Sequence, residues 1–299
     1  MTPGSLIGGG TAVRGIGFTV LAALLITLND GIMKWASASY PPGEIMVLRG
    51  AFMMLPVAFI VWREGGWVAL RVKNMGIQAL RAALAVGATY CFVFALRAMH
   101  LADALAVMLA APLFMTALAP AMLGEKVGWR RWSAVLVGFL GVLLVVKPGG
   151  DAIRWAALLP LGAALCEALR DLLTRRLSSG ETTSSLLTAT TAAVILGGFA
   201  SLPFGWDMPS QSDIALLACA GLILGVAHYI VILAYRAAEV AALAPFRYTN
   251  IVWGVIVGYA VWQHIPDAQT FAGALLVVLG GLYIMHRETT LLRRRAGPR

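Results

Sequence analysis

Ten apolar runs, each near the length a lipid bilayer demands, constrain this chain before anything else does. They fall at about 15–37, 43–62, 75–97, 103–123 and 132–147, then at about 154–176, 183–204, 212–235, 240–262 and 268–286. A helix rises about 1.5 Å per residue, so about 20 apolar residues cross the hydrocarbon core. Inside lipid every backbone N–H and C=O must find its partner within the protein, and runs of this length do that as helices. Composition agrees, because 60% of the 299 residues are hydrophobic, only 12% are charged, and the mean hydropathy is +0.83. A soluble domain has about 45–50% apolar and about 25% charged residues, and a disordered chain has still fewer apolar ones. The connections are short and carry turn chemistry, as in Tyr40-Pro41-Pro42-Gly43 and Lys147-Pro148-Gly149-Gly150, which leaves no room for a soluble domain. The sequence predicts an all-α integral membrane protein with ten transmembrane helices.

Orientation follows from the cations in the short loops. Fifteen Lys and Arg residues collect on the side that holds the N-terminus, against Arg97, Lys147 and Arg154 on the other. Both termini are therefore expected in the cytoplasm of a bacterial inner membrane. The net charge of +9 is explained by topology and anionic lipid rather than by nucleic acid. The first run is long and lacks a small-residue cleavage site, so it reads as a retained helix. Cys91, Cys166 and Cys219 sit singly in apolar runs, and the four histidines show no metal-binding spacing, so no metal and no cofactor is expected.

The chain also repeats itself. A shift of 139 residues lays Arg97-Ala98 on Arg236-Ala237, Trp132 on Phe271 and Gly141 on Gly280. A shift of 141 lays Asp30 and Lys34 on Asp171 and Arg175. Each half holds five spans, an odd number, so the halves enter the membrane in opposite senses, as in many secondary transporters. The expected layout is one five-helix repeat over 14–147, a second over 153–286, and a basic cytoplasmic tail over 287–299.

The stretch Ala111-Pro112-Leu113-Phe114, then Leu123-Gly124-Glu125-Lys126-Val127, Trp132 and Gly138-Phe139-Leu140-Gly141-Val142, resembles the EamA-type drug/metabolite transporters. The second half departs from that pattern, with Gln263-His264 where the family repeats Gly-Glu. The resemblance implies a metabolite transporter of ten helices in two inverted five-helix repeats. The mixture of cationic, anionic and aromatic groups is also similar to YddG-type amino-acid exporters within the superfamily.

Ionisable side chains inside a span cost roughly 2.5–3.5 kcal/mol on insertion scales, so those present need a partner or a cavity. Asp30 and Lys34 lie four apart beside Asn29 and share a helix face, which makes them either a gate or a self-neutralising pair. Arg49 lies about a third of the way into the second run, with Asp30 as its expected internal partner, and Arg81 is shallow enough to snorkel. The sixth run carries Glu167, Arg170 and Asp171, with Glu167 near mid-membrane and suited to a proton or a substrate ammonium. In the ninth run Arg247, Asn250 and Trp253 recur at spacing three, a polar-aromatic stripe that follows Pro245. His228, Tyr229 and Tyr90 add polar groups, each readable as a substrate contact or as a packed, hydrogen-bonded residue. Pro112 and Pro245 are expected to kink the penultimate helix of each half.

The function expected from these residues is export of a small metabolite by alternating access, an aromatic or hydrophobic amino acid in the first place. Arg247 would hold a carboxylate and Glu167 an ammonium or a coupled proton. The alternative is an importer of a vitamin or a nucleoside-like metabolite such as S-adenosylmethionine. A membrane enzyme or lipid-handling protein would need a clustered nucleophile and base or metal ligands, and a Walker motif for ATP is absent, so no enzyme is expected. The partners are a small-molecule substrate and the bilayer, with proton coupling and facilitated diffusion both open, and the chain a monomer or weak homodimer.

Overall fold

The computed structural model describes residues 9–125, 127–147, 153–177, 181–238 and 243–295. Eleven α-helices carry the fold within them: α1 (Gly9–Ser37), α2 (Pro42–Arg63), α3 (Met75–Ala98), α4 (Leu101–Met108), α5 (Ala111–Leu123), α6 (Trp129–Val146), α7 (Ile153–Leu177), α8 (Thr183–Phe199), α9 (Gln211–Ala237), α10 (Thr249–Trp262) and α11 (Ala268–Arg295). Local chemistry sets their ends. Pro42 opens α2 at its first position, where the missing N–H is no loss. Asn74, Thr182 and Ser210 cap α3, α8 and α9 by accepting from the backbone N–H groups of Ile77, Ser185 and Asp213.

Eight of the ten apolar runs reappear as helices long and apolar enough to cross a membrane. The sixth, α7, differs because it carries Glu167, Arg170 and Asp171 within its length. The ninth is broken: a 3-10 turn over Ala244–Tyr248, with Pro245 at its second position, precedes a 14-residue α10. The fourth run breaks too, between α4 and α5 at Leu109 and Ala110, and Pro112 sits just inside α5. A proline ring cannot donate to the preceding turn and collides with its carbonyl, so both penultimate runs divide beside their prolines.

Packing pairs helices across the two halves. α1 lies along α9 and α3 along α7, while α6 packs on α11 and α2 sits between α8 and α9. Exchanging halves turns the first contact into the second. The close approaches obey the same exchange: a Cβ on Gly141 would come within 2.6 Å of the Gly273 carbonyl, and one on Gly280 within 3.0 Å of the Ala134 carbonyl. Likewise, a Cβ on Gly225 would meet Pro56 at 2.6 Å, and one on Gly197 would meet Val86 at 2.5 Å. Gly221 and Gly225 therefore seat α9 on α2 within one chain.

Two ends result. At the first-turn end, which holds the turn over 38–41, Tyr40 donates to Asp213 Oδ2 at 2.7 Å and Lys147 pairs with Asp267. At the opposite end Arg236 pairs with Glu64 at 3.1 Å, and the Glu181 carboxylate accepts from the Lys73 backbone N–H at 2.7 Å.

Candidate functional site

Asp30 and Asn29 sit about two turns past the middle of α1, and α2 brings Arg49 beside them. The Asn29 amide donates to Asp30 Oδ1 at 2.9 Å, and its oxygen accepts from Arg49 Nη1 at 3.5 Å. All three residues are buried, at 8% exposure or less. Helix α7 adds the charged triad: Arg170 Nη2 stands 3.4 Å from Glu167 Oε1 and 3.6 Å from Asp171 Oδ1. These two groups form one electrostatic cluster. Asp30 is within reach of Arg49 and Glu167, and the His228 ring on α9 is within reach of Arg170 and Arg49. Arg81 on α3 extends the cluster toward Asp171 and Arg170.

The triad is not sealed. The side chains of Glu167, Arg170 and Asp171 keep 36%, 26% and 44% of their exposure although they lie along a membrane-spanning helix. Charged groups at that depth that retain exposure and interact with α1, α3 and α9 need polar surroundings, because lipid gives an ion no solvation. Six buried side-chain polar atoms among the described residues lack a hydrogen-bond partner in the protein, Arg49 Nε, Asn250 Oδ1 and Trp253 Nε1 among them. Asn250 belongs to α10, and its backbone carbonyl accepts from Thr27 on α1 at 3.5 Å. Unpaired buried polar atoms are rare and costly.

Other predicted residues stand elsewhere. Lys34 does not close on Asp30. Its ammonium caps α3, donating to the carbonyls of Leu96 at 2.9 Å and Met99 at 2.7 Å, because a helix C-terminus offers unpaired acceptors. Arg81 does not snorkel. It is buried and donates to Thr174 Oγ1 at 2.7 Å and Gln78 Oε1 at 3.0 Å. Glu167 takes its guanidinium from Arg170 on its own helix, whereas Arg247 is exposed in the 3-10 turn beside Tyr248. Tyr90 is satisfied by the Gly197 carbonyl at 2.9 Å, and Tyr229 packs on Phe59 and lines a recess with Glu64 and Arg236. His228 anchors Nδ1 on the Leu224 carbonyl at 2.8 Å.

With that geometry in place, comparison with known proteins decides the family. A riboflavin transporter of Rhizobium johnstonii is 30% identical over 292 residues, which cover 96% of this chain and 95% of that protein. The model of the EamA-like transporter family matches residues 13–147. The chain belongs to the EamA-like transporter family. An S-adenosylmethionine uptake transporter of Rickettsia conorii is 27% identical over 95% of this chain and 97% of that one. A pseudopaline exporter of Pseudomonas aeruginosa is 28% identical over 89% of this chain and 93% of that one. A solved crystal structure shares the fold at a TM-score of 0.65 with 16% identity, covering 97% of this chain and 99% of that chain. The protein is thus a multi-pass membrane transporter.

Proposed function

We propose that this EamA-type protein takes up a polar, ring-bearing metabolite of the riboflavin kind by alternating access, with the partly exposed charges of Glu167, Arg170 and Asp171 as part of the binding site. The observation that carries this reading is the balance of the cluster. Asp30, Glu167 and Asp171 are matched by Arg49, Arg81 and Arg170, so a neutral or zwitterionic guest enters without adding uncompensated charge at membrane depth. A ring bearing hydroxyl and carbonyl groups supplies what Asn250 Oδ1, Trp253 Nε1 and Arg49 Nε lack. The riboflavin transporter among the relatives supports the same class.

Two repeats over 14–147 and 153–286 would rock about this site, hinged where Pro112 and Pro245 divide the penultimate spans. Each swing must open one end, either the Tyr40–Asp213 side or the Glu64–Arg236 side. The first-turn end would face outward, with both termini in the cytoplasm of the inner membrane. Export is the second reading, favoured by the pseudopaline exporter among the relatives, and a zwitterionic amino acid suits the same balanced cluster. Counterflow in proteoliposomes loaded in turn with riboflavin, S-adenosylmethionine and an aromatic amino acid separates these substrates. Exchange of labelled riboflavin is expected to be fastest, and exchange of the amino acid alone would overturn the vitamin reading.

A further inference from the structure

Two histidines that are far apart in sequence meet at the first-turn end. His100 immediately precedes α4, and His264 lies in the turn between α10 and α11. Their rings stack with centroids 3.4 Å apart and planes 5° from parallel, and His100 Nδ1 stands 3.4 Å from Asp103 Oδ2. We propose that His100, His264 and Asp103 form a binding site for a zinc-class divalent cation that ties α4 of the first half to the α10–α11 turn of the second.

Geometry and chemistry converge on this. One ligand atom from each of the three side chains lies within 4.8 Å of the others. Two imidazole nitrogens on a tetrahedral zinc, each at about 2.1 Å, stand about 3.4 Å apart, and the two rings must turn out of their parallel stack to aim both lone pairs at one ion. Asp103 Oδ1 is buried and has no hydrogen-bond partner, an acceptor waiting for a cation or donor. Lys34 lies within electrostatic reach of Asp103 and His264 and opposes a dication, but its ammonium is already engaged by two carbonyls. The Asp103 carboxylate acts on His264 more strongly than Lys34 does. A recess of about 550 Å³, lined in part by Lys34, Trp35, His100 and Trp262, gives access from that end. Water or a solute completes a site with three protein ligands. A cation held there spans both halves and holds this end shut.

Purified full-length protein is titrated with zinc chloride by equilibrium dialysis, and its thermal midpoint is followed in parallel. One zinc per chain is expected, with affinity reduced at least tenfold in His100→Ala, His264→Ala and Asp103→Asn and retained in His286→Ala. Zinc should raise the midpoint of the wild type and not of those three variants. Should an alanine variant fail to fold, His100→Gln and His264→Gln serve in its place and are expected to show the same loss. Equal zinc binding by the wild type and the His100/His264 double variant, or none by either, would overturn the site. The readout contains no transported substrate, so an error in the riboflavin assignment leaves its outcome untouched.

Discussion

Arg49 and Glu167 carry opposite charges in one cluster, yet their loss should read out differently. Arg49 is 8% exposed, and removing one partner of a buried charge pair costs about 3–5 kcal/mol, so Arg49→Met is expected to yield little folded protein. Glu167 keeps 36% of its side-chain exposure, and Glu167→Gln preserves an oxygen for Arg170, so this variant should stay monodisperse by size exclusion. Monodisperse Arg49→Met protein with an unchanged thermal midpoint would contradict the buried relay. Gln263 makes a second residue-scale test. It stands at the position related to Gly124 by the shift of 139, and both are left-handed, with φ of 55° and 68°. A side chain there is strained, so Gln263→Gly should raise stability by up to about 1 kcal/mol in thermal unfolding, and a lowered midpoint would refute the strain. Asp267 gives the pH dependence. Its bond to Lys147, then the Thr270 backbone N–H, pulls its carboxyl down to about 2. A depressed carboxyl stabilises fully above its unfolded value of about 3.9 and loses that contribution as pH falls through the folded value. The midpoint of Asp267→Asn should therefore sit below the wild type by a constant amount from pH 7 to 5, and the gap should close only near pH 2–3. A gap that closes near pH 6 would mean that another group holds this tie.

At the scale of elements, the glycine seam between α6 and α11 is the sharpest test of the packing. A Cβ at Gly141 would press 2.6 Å from the Gly273 carbonyl, backbone that cannot swing aside, so Gly141→Ala should destabilise by about 1–3 kcal/mol. Nothing lies within 4 Å of a Cβ at Gly17 in α1, where Gly17→Ala should instead gain about 0.5–1 kcal/mol. Reversal of that order in thermal melts would remove the seam. Element number and approximate extent were legible because run length alone decides whether a helix crosses a bilayer. Pro112 and Pro245 pointed to the two penultimate spans, yet Pro56 and Pro160 lie inside unbroken α2 and α7, and nothing in proline spacing put the breaks at Leu109–Ala110 and before Thr249. Nor could the sequence place Lys34, whose partners are backbone carbonyls of another helix and leave no residue-type signature. Arg81 was misread for a related reason: depth along its own run says nothing of Thr174 on α7, which buries it.

For the molecule as a whole, the charge cluster was half legible. Intramembrane Asp30, Arg49 and Glu167 announce themselves by cost, whereas their assembly depends on α1, α2, α7 and α9 meeting, which follows from the exchange of halves rather than from any motif. The His100–His264 stack was invisible for the same reason. Alternating access requires that the ends open in turn, so joining Tyr40→Cys to Asp213→Cys by a short disulfide-containing cross-linker should stop exchange, and reduction of that disulfide should restore it. The most direct measurement is counterflow of labelled riboflavin into proteoliposomes, wild type beside Glu167→Gln at matched reconstitution and matched thermal midpoint. The expected result is saturable exchange by the wild type and at least a tenfold loss in the variant. Undiminished exchange by well-folded Glu167→Gln would contradict the placement of the substrate at the α7 triad.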